Sequence, residues 1–509
     1  MIVVVEHLPP RDIPEIEPTS AAAGDGSAGV VPADRPGPAE PGSGVGATVG
    51  VMFRRDSLYM VASSLQLLSG VVVTPFMTRV LGVHQYGIFA ADLALLYVLY
   101  YTSNLGLNIG IQRLYSQPDG ERRSRNLLAA SLVLVSLVTA LVYLTGPRWS
   151  PVLGFGDFPL STRLTVVWSG LFAMTWICLA VLRCHERLFV FTVVCLLQAI
   201  VGIGIGTLVA FLHRHLATDV LWCALVTQAV AVVLSLSTIT PHVRGLWDVR
   251  TVGATLRFSL PIVPLQLSTF VLSASDRFIV LRDLGAGATG RYQVAYTLGA
   301  VGISLLTFLN LAWLPRIFSI ADRHTRAEVL AASRDGLYRL LVPVTIGIAL
   351  AGPILLRIWA PLSFRTEELL PIIVLVVAAT VPVCTAFVHS RVLLSEGRSA
   401  VVALVTIVAA AVNVALNLAL VPHLGINGSA LATTVSYTVL ASAMAALSRL
   451  LLPLARPSAR LWGALVLAEA TVLLSSRIPV HGPWLVVRAA GIAAAVVAAY
   501  ATLRDLQSA

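Results

Sequence analysis

The feature that most constrains this sequence is a succession of apolar runs from Ser57 onward, each long enough to cross a lipid bilayer. A membrane-spanning helix needs about 20 apolar residues, because the hydrocarbon core is about 30 Å thick and a helix rises about 1.5 Å per residue. Backbone polar groups find no water in that core, so each run is expected to be helical. The predicted spans are 57–77, 87–112, 126–146, 161–182, 188–212, 219–240, 258–281, 290–315, 337–357, 367–390, 399–421, 427–448, 460–476 and 484–503.

Composition supports the same conclusion. Only 12% of the residues are charged, 57% are hydrophobic and the mean hydropathy is +0.85, whereas about a quarter of the residues of a soluble domain are charged. So little charge cannot cover a soluble core, which argues against a soluble enzyme, a disordered protein and a fibrous protein. The predicted fold class is an all-α polytopic membrane protein with about 14 transmembrane helices.

The arginines predict the orientation of these helices. The chain has no lysine, and its formal charge of +10 comes from 35 arginines against 25 acidic residues. They cluster in short loops between apolar runs, so membrane topology explains them and no nucleic-acid partner is expected. With the N-terminus inside, 22 of the 35 arginines fall on cytoplasmic segments and nine on outer segments. We therefore predict a multi-pass protein of the cell (cytoplasmic) membrane with both termini cytoplasmic.

An internal repeat divides the apolar region. Six short blocks match at a constant offset of 203 residues, and chance similarity between two apolar loops is the alternative explanation. The matches are Arg54 with Arg257, Arg79 with Arg282, Leu81-Gly82 with Leu284-Gly285, Gly87 with Gly290, Phe89 with Tyr292, and Arg113 with Arg316. The offset contains six spans, an even number, so the two copies have the same orientation. Parallel repeats of this kind form two lobes in alternating-access transporters.

The chain is accordingly divided into four predicted parts. Residues 1–50 are rich in Pro, Gly and acidic residues and are predicted to form a disordered tail; translation beginning at Met52 is an alternative. Residues 51–245 form a first six-helix lobe and residues 246–452 a second. Two additional C-terminal helices occupy residues 453–509.

Motifs for catalysis or for bound groups are missing from the sequence. The five cysteines lie in or beside apolar runs and show no CxxC spacing. Walker, GxSxG, HExxH and Rossmann patterns do not occur in a supporting context. We therefore expect no catalytic residue, no metal site and no cofactor, and the protein is predicted not to be an enzyme.

Several motifs resemble the bacterial polysaccharide transporters, the O-antigen-type flippases. They are Arg79-Val80-Leu81-Gly82 with Tyr86-Gly87-Ile88-Phe89, Ser275-Asp276-Arg277-Phe278-Ile279-Val280, Gly290-Arg291-Tyr292, and Asn413-Val414-Ala415-Leu416-Asn417 continuing through Pro422 to Thr433. The resemblance covers roughly residues 52–450. It implies membership of the multidrug/oligosaccharidyl-lipid/polysaccharide exporter superfamily. The last two helices are similar to those of fourteen-helix members, which include lipid II flippases, whereas many members have twelve.

The resemblance also implies a function. Members of the family are flippases that move polyprenyl-pyrophosphate-linked oligosaccharides across the cytoplasmic membrane for polysaccharide and cell-envelope biosynthesis. The implied partners are this lipid-linked glycan, membrane lipid, a coupling cation (H⁺ or Na⁺), and a polysaccharide polymerase or glycosyltransferases. The alternatives are a multidrug/cation antiporter on the same scaffold and a polytopic glycosyltransferase or polymerase. The last would need catalytic carboxylates in a substantial outer loop, which this chain lacks.

Asp276 and Arg277 are the first candidates for substrate binding. An ionisable residue inside a span costs about 2.5–3.5 kcal/mol on insertion scales, so those present are functional candidates. Arg277 is suited to contact the pyrophosphate, with Asp276 either as its ion-pair partner or as a site for the coupling cation. The alternative is a structural pair that holds the lobe together. Pro261 and Pro264 predict a bend in the same span.

Two polar and aromatic stripes are further candidates for lining a substrate cavity. At 100° per residue, the members of the first stripe fall within about 60° of one another on a single helix. They are Tyr97, Tyr101, Asn104, Asn108 and Gln112. The second stripe comprises Tyr292, Tyr296, Thr307 and Asn310. Interhelical hydrogen bonding is the alternative to cavity lining.

Three charged residues are candidates for coupling or gating. Asp92 points away from the first stripe and is either a packing residue or a coupling residue. Arg79 and Arg282 occupy matched outer ends of the two repeats, where they are gate or interface anchors, or arginines that snorkel toward the membrane surface.

Overall fold

A computed structural model describes residues 45–242, 245–246, 248–307, 320, 322–479 and 482–508, with side chains from Val72 to Asp505. These residues form helices and the turns between them. The predicted tail up to residue 44 and Asn310 lie outside the described residues. The α-helices are α1 (Val45–Asn104), α2 (Leu107–Tyr115), α3 (Gly120–Trp149), α4 (Leu160–Cys184), α5 (Leu188–Leu196), α6 (Gly202–Leu212), α7 (Ala217–Ile239), α8 (Val249–Ser259), α9 (Val263–Ala274), α10 (Asp276–Gly299), α11 (Arg323–Trp359), α12 (Leu370–Ala378), α13 (Thr380–Ser395), α14 (Ser399–Leu424), α15 (Ile426–Leu451), α16 (Ala459–Ser475) and α17 (Pro483–Ser508).

The predicted polytopic membrane fold is confirmed. Eleven helical segments of the described residues are long and apolar enough to cross a membrane. Three predicted spans are not counted separately among these segments. The first lies mostly before Val72, the eighth is continuous with the seventh in the segment Val249–Gly299, and the thirteenth corresponds to α16, which has only 17 residues.

Two glycines turn the chain sharply inside α1 and α10. Gly82 has φ 66° and ψ 178°, and Gly285 has φ 81° and ψ 173°. A side chain is strongly disfavoured in this backbone region, although a Cβ at either position would meet no atom within 4 Å. The turns therefore require glycine for its backbone freedom and not for space. They are a matched pair of the predicted repeat, and the division into two lobes stays a prediction.

A second pair of glycines joins the first and second halves of the chain. A Cβ on Gly87 would overlap the carbonyl oxygen of Ala286, and a Cβ on Gly290 would overlap that of Val83. Gly87 and Gly290 also approach each other closely. Small residues allow this kind of close backbone contact between helices in membranes. We call this end of the bundle the glycine-turn end and the opposite end, where Arg122 lies, the arginine-rich end.

The two halves of the chain contact each other at the glycine-turn end. Arg79 Nη2 donates to the carbonyl of Ile358 at 2.5 Å, at the C-terminus of α11. On the other side, the loop after α3 packs on α10. There Phe155 and Phe278 have ring centroids 6.1 Å apart, and a Cβ on Gly154 would lie 2.6 Å from Cα of Arg282. Two parts of the first half, α1 and the loop after α3, thus contact α11 and α10 of the second half, and the structure is closed at this end.

The prediction of a single helix over residues 87–112 is wrong. Leu105 and Gly106 have positive φ values of 51° and 70°, and they separate α1 from α2. The break lets α2 pack against α8: a Cβ on Gly106 would lie 2.9 Å from the Ser259 carbonyl oxygen. Tertiary packing between the two halves therefore accounts for the interruption.

The predicted span 258–281 is interrupted at two points. A short 3₁₀ segment, Leu260–Ile262, separates α8 from α9, and Ser275 separates α9 from α10. Proline lacks the N–H that a continuous helix uses, so Pro261 and Pro264 explain the first interruption. At the start of α8, Asp248 accepts a hydrogen bond from the Thr251 N–H at 3.1 Å, which lowers the pKa of its carboxyl group.

A buried arginine holds the C-terminal helices against α11. Arg488 is fully buried and donates to the carbonyls of Leu350, Ser475 and Ile478 at 2.9, 2.6 and 2.7 Å. Carbonyl groups near a helix C-terminus carry partial negative charge and favour a cation. The guanidinium therefore fastens both α16 and α17 to α11. No role for Arg488 was predicted from the sequence.

Candidate functional site

Asp276 and Arg277 begin α10, directly after the interruption at Ser275. Both are buried, with 2% and 5% of their surface exposed. Arg277 Nη1 lies 2.5 Å from Asp276 Oδ1, so the two neighbours form a buried ion pair. A buried charge is tolerated when it is paired and hydrogen-bonded, and this pair meets the first condition.

The limb of α10 that follows Gly285 supplies further hydrogen-bond partners of Asp276 and Arg277. The Gly285 turn folds this limb back, so that Tyr292 and Gln293 reach residues sixteen positions earlier. The Tyr292 hydroxyl donates to Asp276 Oδ2, and Arg277 Nε donates to Gln293 Oε1 at 3.0 Å. Arg277 Nη1 also donates to the carbonyl of Ser273 at 2.7 Å. Gln293 was not predicted, because its contact depends on the turn.

The predicted tyrosines of α10 flank the guanidinium. The Cζ atom of Arg277 lies 4.0 Å from the ring centroid of Tyr296 and 5.5 Å from that of Tyr292. A guanidinium over an aromatic face is attracted by the negative face of the ring. The structure therefore brings together four predicted residues, Asp276, Arg277, Tyr292 and Tyr296.

A chain of side-chain amides and hydroxyls extends from this cluster to two other helices of the second half. The Ser275 hydroxyl lies 3.5 Å from Asn413 Oδ1 on α14. Asn417 Nδ2 donates to the Asn413 carbonyl at 2.9 Å, and the Ser429 hydroxyl donates to Asn417 Oδ1 at 2.8 Å. The Asn-x-x-x-Asn motif therefore ties the α9–α10 junction to α14 and α15.

An aromatic cluster connects Arg277 with the first half of the chain. Tyr97 and Tyr101 have ring centroids 6.2 and 6.0 Å from that of Phe270 on α9. Tyr97 also contacts Phe172 of α4 at 5.9 Å in an edge-on arrangement. Phe270 lies one helical turn before Ser273, which accepts a hydrogen bond from Arg277. Tyr97 and Tyr101 of the first predicted stripe thus lie between the two halves.

The remaining residues of that stripe, Asn104, Asn108 and Gln112, do not lie on the same face as Tyr97 and Tyr101. Asn104 ends α1 and is 2% exposed, and its Oδ1 accepts from the Asn108 N–H at 3.4 Å. Asn108 is half-buried in α2 and Gln112 is exposed. The prediction of one stripe from Tyr97 to Gln112 is therefore wrong, because the backbone turns at Leu105 and Gly106 and resets the helical phase.

The three charged candidates have different environments. Asp92 is fully buried between α1 and α4, beside Ser161, Thr162 and Thr165. Arg79 links α1 to α11 as described above. Arg282 is exposed and pairs with Asp283 at 2.7 Å. The two matched arginines therefore have unequal partners.

Comparisons with solved structures show the fold. The chain is similar to the lipid II flippase MurJ in an inward closed conformation, with a TM-score of 0.64, 12% identity, and coverage of 89% of this chain and 99% of that one. It is also similar to an inward-facing multidrug resistance MATE family transporter of the MOP superfamily. For that structure the TM-score is 0.58, the identity 13%, and the coverage 79% and 98%. This is the fold of polytopic membrane transporters.

Comparison with protein families shows the relationship that the motifs predicted. Curated protein sequences yield no match. A family model described as polysaccharide biosynthesis protein matches residues 55–321, which is more than half of the chain and includes the Asp276–Arg277 pair. The chain therefore belongs to the family of polysaccharide biosynthesis proteins.

Proposed function

We propose that this protein translocates a polyprenyl-pyrophosphate-linked oligosaccharide across the cytoplasmic membrane by alternating access. The observation that carries the proposal is Arg277, a buried guanidinium held between one acid, one amide and two tyrosine rings. Family membership supports a role in polysaccharide biosynthesis, and the fold supports transport.

The chemistry of Arg277 suits an anionic head group. A guanidinium presents paired N–H donors that match phosphate oxygens. In the closed structure Asp276 neutralises it, and the Tyr292 hydroxyl also donates to Asp276. A pyrophosphate takes the place of Asp276 on Arg277, while Tyr292 continues to hydrogen-bond the displaced carboxylate. Arg277 then stays paired with an anion throughout, whereas Asp276 keeps only the Tyr292 hydrogen bond, so the pyrophosphate has to bind Arg277 more strongly than Asp276 does.

Aromatic side chains serve the sugar part of the substrate. Tyr97, Tyr101 and Phe270 form a continuous ring surface between the two halves, and Tyr296 extends it toward Arg277. Tyrosine combines an apolar ring with a hydroxyl, which suits the mixed surface of a sugar. Separation of the two halves exposes this surface to the head group.

Alternating access requires that the two ends open in turn. In our proposal the glycine-turn end faces the outside, as the arginine distribution predicts, and both termini are cytoplasmic. The structure then represents a state closed to the outside. Glycosyltransferases supply the glycan on the inner side, and a polysaccharide polymerase uses it on the outer side. No catalytic step by this chain is required.

Reconstitution tests the proposal. The protein is placed in vesicles with a fluorescent polyprenyl-pyrophosphate glycan, and loss of fluorescence to a membrane-impermeant quencher measures exchange between leaflets. We expect exchange with the wild-type protein, none above empty vesicles with Arg277→Gln, and wild-type exchange with Arg365→Gln, an exposed loop arginine. Exchange equal to empty vesicles for the wild type contradicts a flippase. Protection of cells against toxic cations would then favour a multidrug/cation antiporter.

A further inference from the structure

Three buried polar atoms at the contact between the two halves make no hydrogen bond with any described residue. They are Asn104 Nδ2, Trp176 Nε1 and Ser259 Oγ. Asn104 is 2% exposed and Ser259 is completely buried, and Trp176 is half-buried with its indole nitrogen inside the protein. A buried polar atom without a partner is costly, so each of the three needs a physical explanation.

Asn104 lies between the other two residues. Two residues after it, a Cβ on Gly106 would lie 2.9 Å from the carbonyl oxygen of Ser259 and 3.1 Å from its Cβ. Four residues before it, on the same face of α1, Tyr100 has its ring centroid 6.0 Å from that of Trp176. The three atoms therefore come from α1, α4 and α8, and they lie around the C-terminal end of α1.

These atoms belong to neutral groups, and aromatic rings lie beside them. The ring centroid of Tyr100 lies 4.8 Å from that of Tyr101 and 5.3 Å from that of Phe172. The N–H groups of an amide and an indole only donate, whereas a hydroxyl both donates and accepts. Two donors and one hydroxyl match a neutral amide, which has a carbonyl oxygen with two lone pairs and one N–H. A methyl group on such an amide fits the apolar faces of the rings.

We propose that Asn104, Trp176 and Ser259 bind the acetamido group of an N-acetylated sugar. The carbonyl oxygen of that group accepts from Asn104 Nδ2 and Trp176 Nε1, its N–H donates to Ser259 Oγ, and its methyl group packs against Tyr100. A hydroxyl group at the same place on the sugar has a single polar atom and no methyl group, so it satisfies fewer of these partners. The choice of transported glycan rests on the proposed function, whereas binding of the sugar does not.

The site is remote from the proposed pyrophosphate contact. Ser259 precedes Arg277 by eighteen residues, and a helical rise of about 1.5 Å per residue puts the two up to about 27 Å apart. This distance exceeds the size of a sugar ring several times. The acetamido group therefore belongs to a sugar farther along the glycan than the one joined to the pyrophosphate.

Helix interruptions beside the site allow it to open. Leu105 and Gly106 have positive φ values where α1 meets α2, and Leu260–Ile262 forms the 3₁₀ segment where α8 meets α9. Discontinuous helices form the substrate sites of many transporters. Movement of α2 and α8 at these points separates Gly106 from Ser259 and admits the acetamido group.

Binding is tested with two matched soluble sugars, N-acetylchitotetraose and cellotetraose. They share the same backbone and linkage, and they differ in whether each ring carries an acetamido or a hydroxyl group. Saturation-transfer NMR on the purified full chain in nanodiscs measures their binding, with empty nanodiscs as the background. We expect the wild type to bind N-acetylchitotetraose about tenfold more tightly than cellotetraose. The strongest transfer should reach the acetyl methyl protons.

Trp176→Phe removes the indole N–H while keeping an aromatic ring. We expect it to weaken N-acetylchitotetraose binding about tenfold and to leave cellotetraose binding unchanged, so the preference disappears. The matched control is Trp168→Phe, which removes another buried indole N–H without a described partner, about two turns earlier on α4. This control keeps the wild-type preference. An equal loss of preference in both variants contradicts the proposed site.

A second substitution keeps the test valid if Trp176→Phe does not fold. Ser259→Ala removes the hydroxyl that accepts from the acetamido N–H, and we expect it to reduce the preference about threefold to tenfold. Ser235→Ala, at another completely buried serine, which donates to the Ala231 carbonyl, leaves the preference unchanged. A wild type that binds neither sugar or both equally overturns the proposal, as does an unchanged preference in Ser259→Ala.

A transport measurement separates this inference from the proposed function. The same two tetrasaccharides are linked to fluorescent polyprenyl pyrophosphate, and leaflet exchange is compared in vesicles at limiting lipid concentration. The wild type should exchange the acetamido lipid faster, and Trp176→Phe should exchange both at similar rates. If the wild type prefers N-acetylchitotetraose but exchanges neither lipid, the flippase proposal fails and the acetamido site stands. If it exchanges both lipids at one rate and binds both sugars equally, the flippase proposal stands and the acetamido site fails.

Discussion

Two buried aspartates, one in each half of the chain, are neutralised in different ways. Asp276 lies beside Arg277 and accepts from Tyr292, so its charge is paired within the protein. Asp92 is equally buried, and the side chains that act on its carboxyl group are the hydroxyls of Ser161, Thr162 and Thr165. The Asp276 carboxylate thus has a counter-charge within the protein, and in the function that we propose the pyrophosphate competes with it for Arg277. Asp92 has hydroxyl partners in place of an arginine.

The internal repeat shows that the two aspartates occupy unmatched positions in the two halves. At the offset of 203 residues, Asp276 and Arg277 correspond to Val73 and Thr74, and Asp92 corresponds to Ala295. Each half therefore carries one of the two ionisable sites where the other half has a neutral residue. The two repeats thus differ in chemistry at matched positions of the same scaffold.

The largest effect is expected from removing Arg277, the positively charged member of the buried ion pair. Arg277→Met leaves Asp276 buried without its counter-charge, and breaking a buried pair costs about 3–5 kcal/mol of unfolding free energy. Denaturant unfolding in detergent measures the loss. The double variant Asp276→Asn, Arg277→Met should recover most of it, because no charge is then buried. A loss below about 1 kcal/mol would show that Asp276 is not held ionised by Arg277.

The comparison also shows which parts of the site the sequence could predict. Hydropathy located the spans because the bilayer imposes the same requirement on every one of them. The pair Asp276–Arg277 was identifiable because ionisable residues inside spans are costly. The contact of Arg277 with Gln293 could not be predicted from the sequence, because it depends on the turn at Gly285.

Long-range packing limited the remaining predictions. The interruption after Asn104 places Leu105 at a positive φ, which its residue type does not predict. A helical wheel drawn through that point therefore put Gln112 on the wrong face. Similarly, Asp92 could be placed on the opposite face from Tyr97, but the hydroxyls that surround it come from α4. Such contacts require the tertiary structure.

The close approach of Gly87 to Ala286 joins the two halves at the glycine-turn end. Gly87→Ala places a methyl group on the backbone of Ala286, and such overpacking costs about 1–3 kcal/mol. We expect the glycine-turn end to open, because separation of the halves relieves the clash. Spin labels on Asp157→Cys and Arg365→Cys, in a background without the native cysteines, report the distance between the outer loops of the two halves.

The matched control for this substitution is Gly204→Ala on α6. A Cβ at Gly204 meets no atom within 4 Å, and alanine favours a helix more than glycine does. The label distance should therefore stay at the wild-type value. Equal distance distributions for Gly87→Ala and Gly204→Ala would argue that this contact does not hold the end closed.

A smaller difference is expected between the matched arginines of the two repeats. Arg79→Ala removes a hydrogen bond that crosses the halves, to the Ile358 carbonyl, and should cost about 1 kcal/mol. Arg282→Ala removes only an exposed pair with Asp283 and should cost less than about 0.5 kcal/mol. Denaturant unfolding compares the two single variants. The reverse order would assign the interface anchor to Arg282.

The smallest expected effect is the energetic coupling between the two aspartate sites in unfolding. Asp92→Asn and Arg277→Met alter sites with no shared described partner, so their effects should add to within about 0.5 kcal/mol. A double-mutant cycle of denaturant unfolding in detergent tests this additivity. In leaflet exchange, Arg277→Met should abolish transport whether or not Asp92 is present, because Arg277 is the proposed contact of the pyrophosphate. Strong coupling in unfolding would instead mean that the two aspartates belong to one electrostatic network.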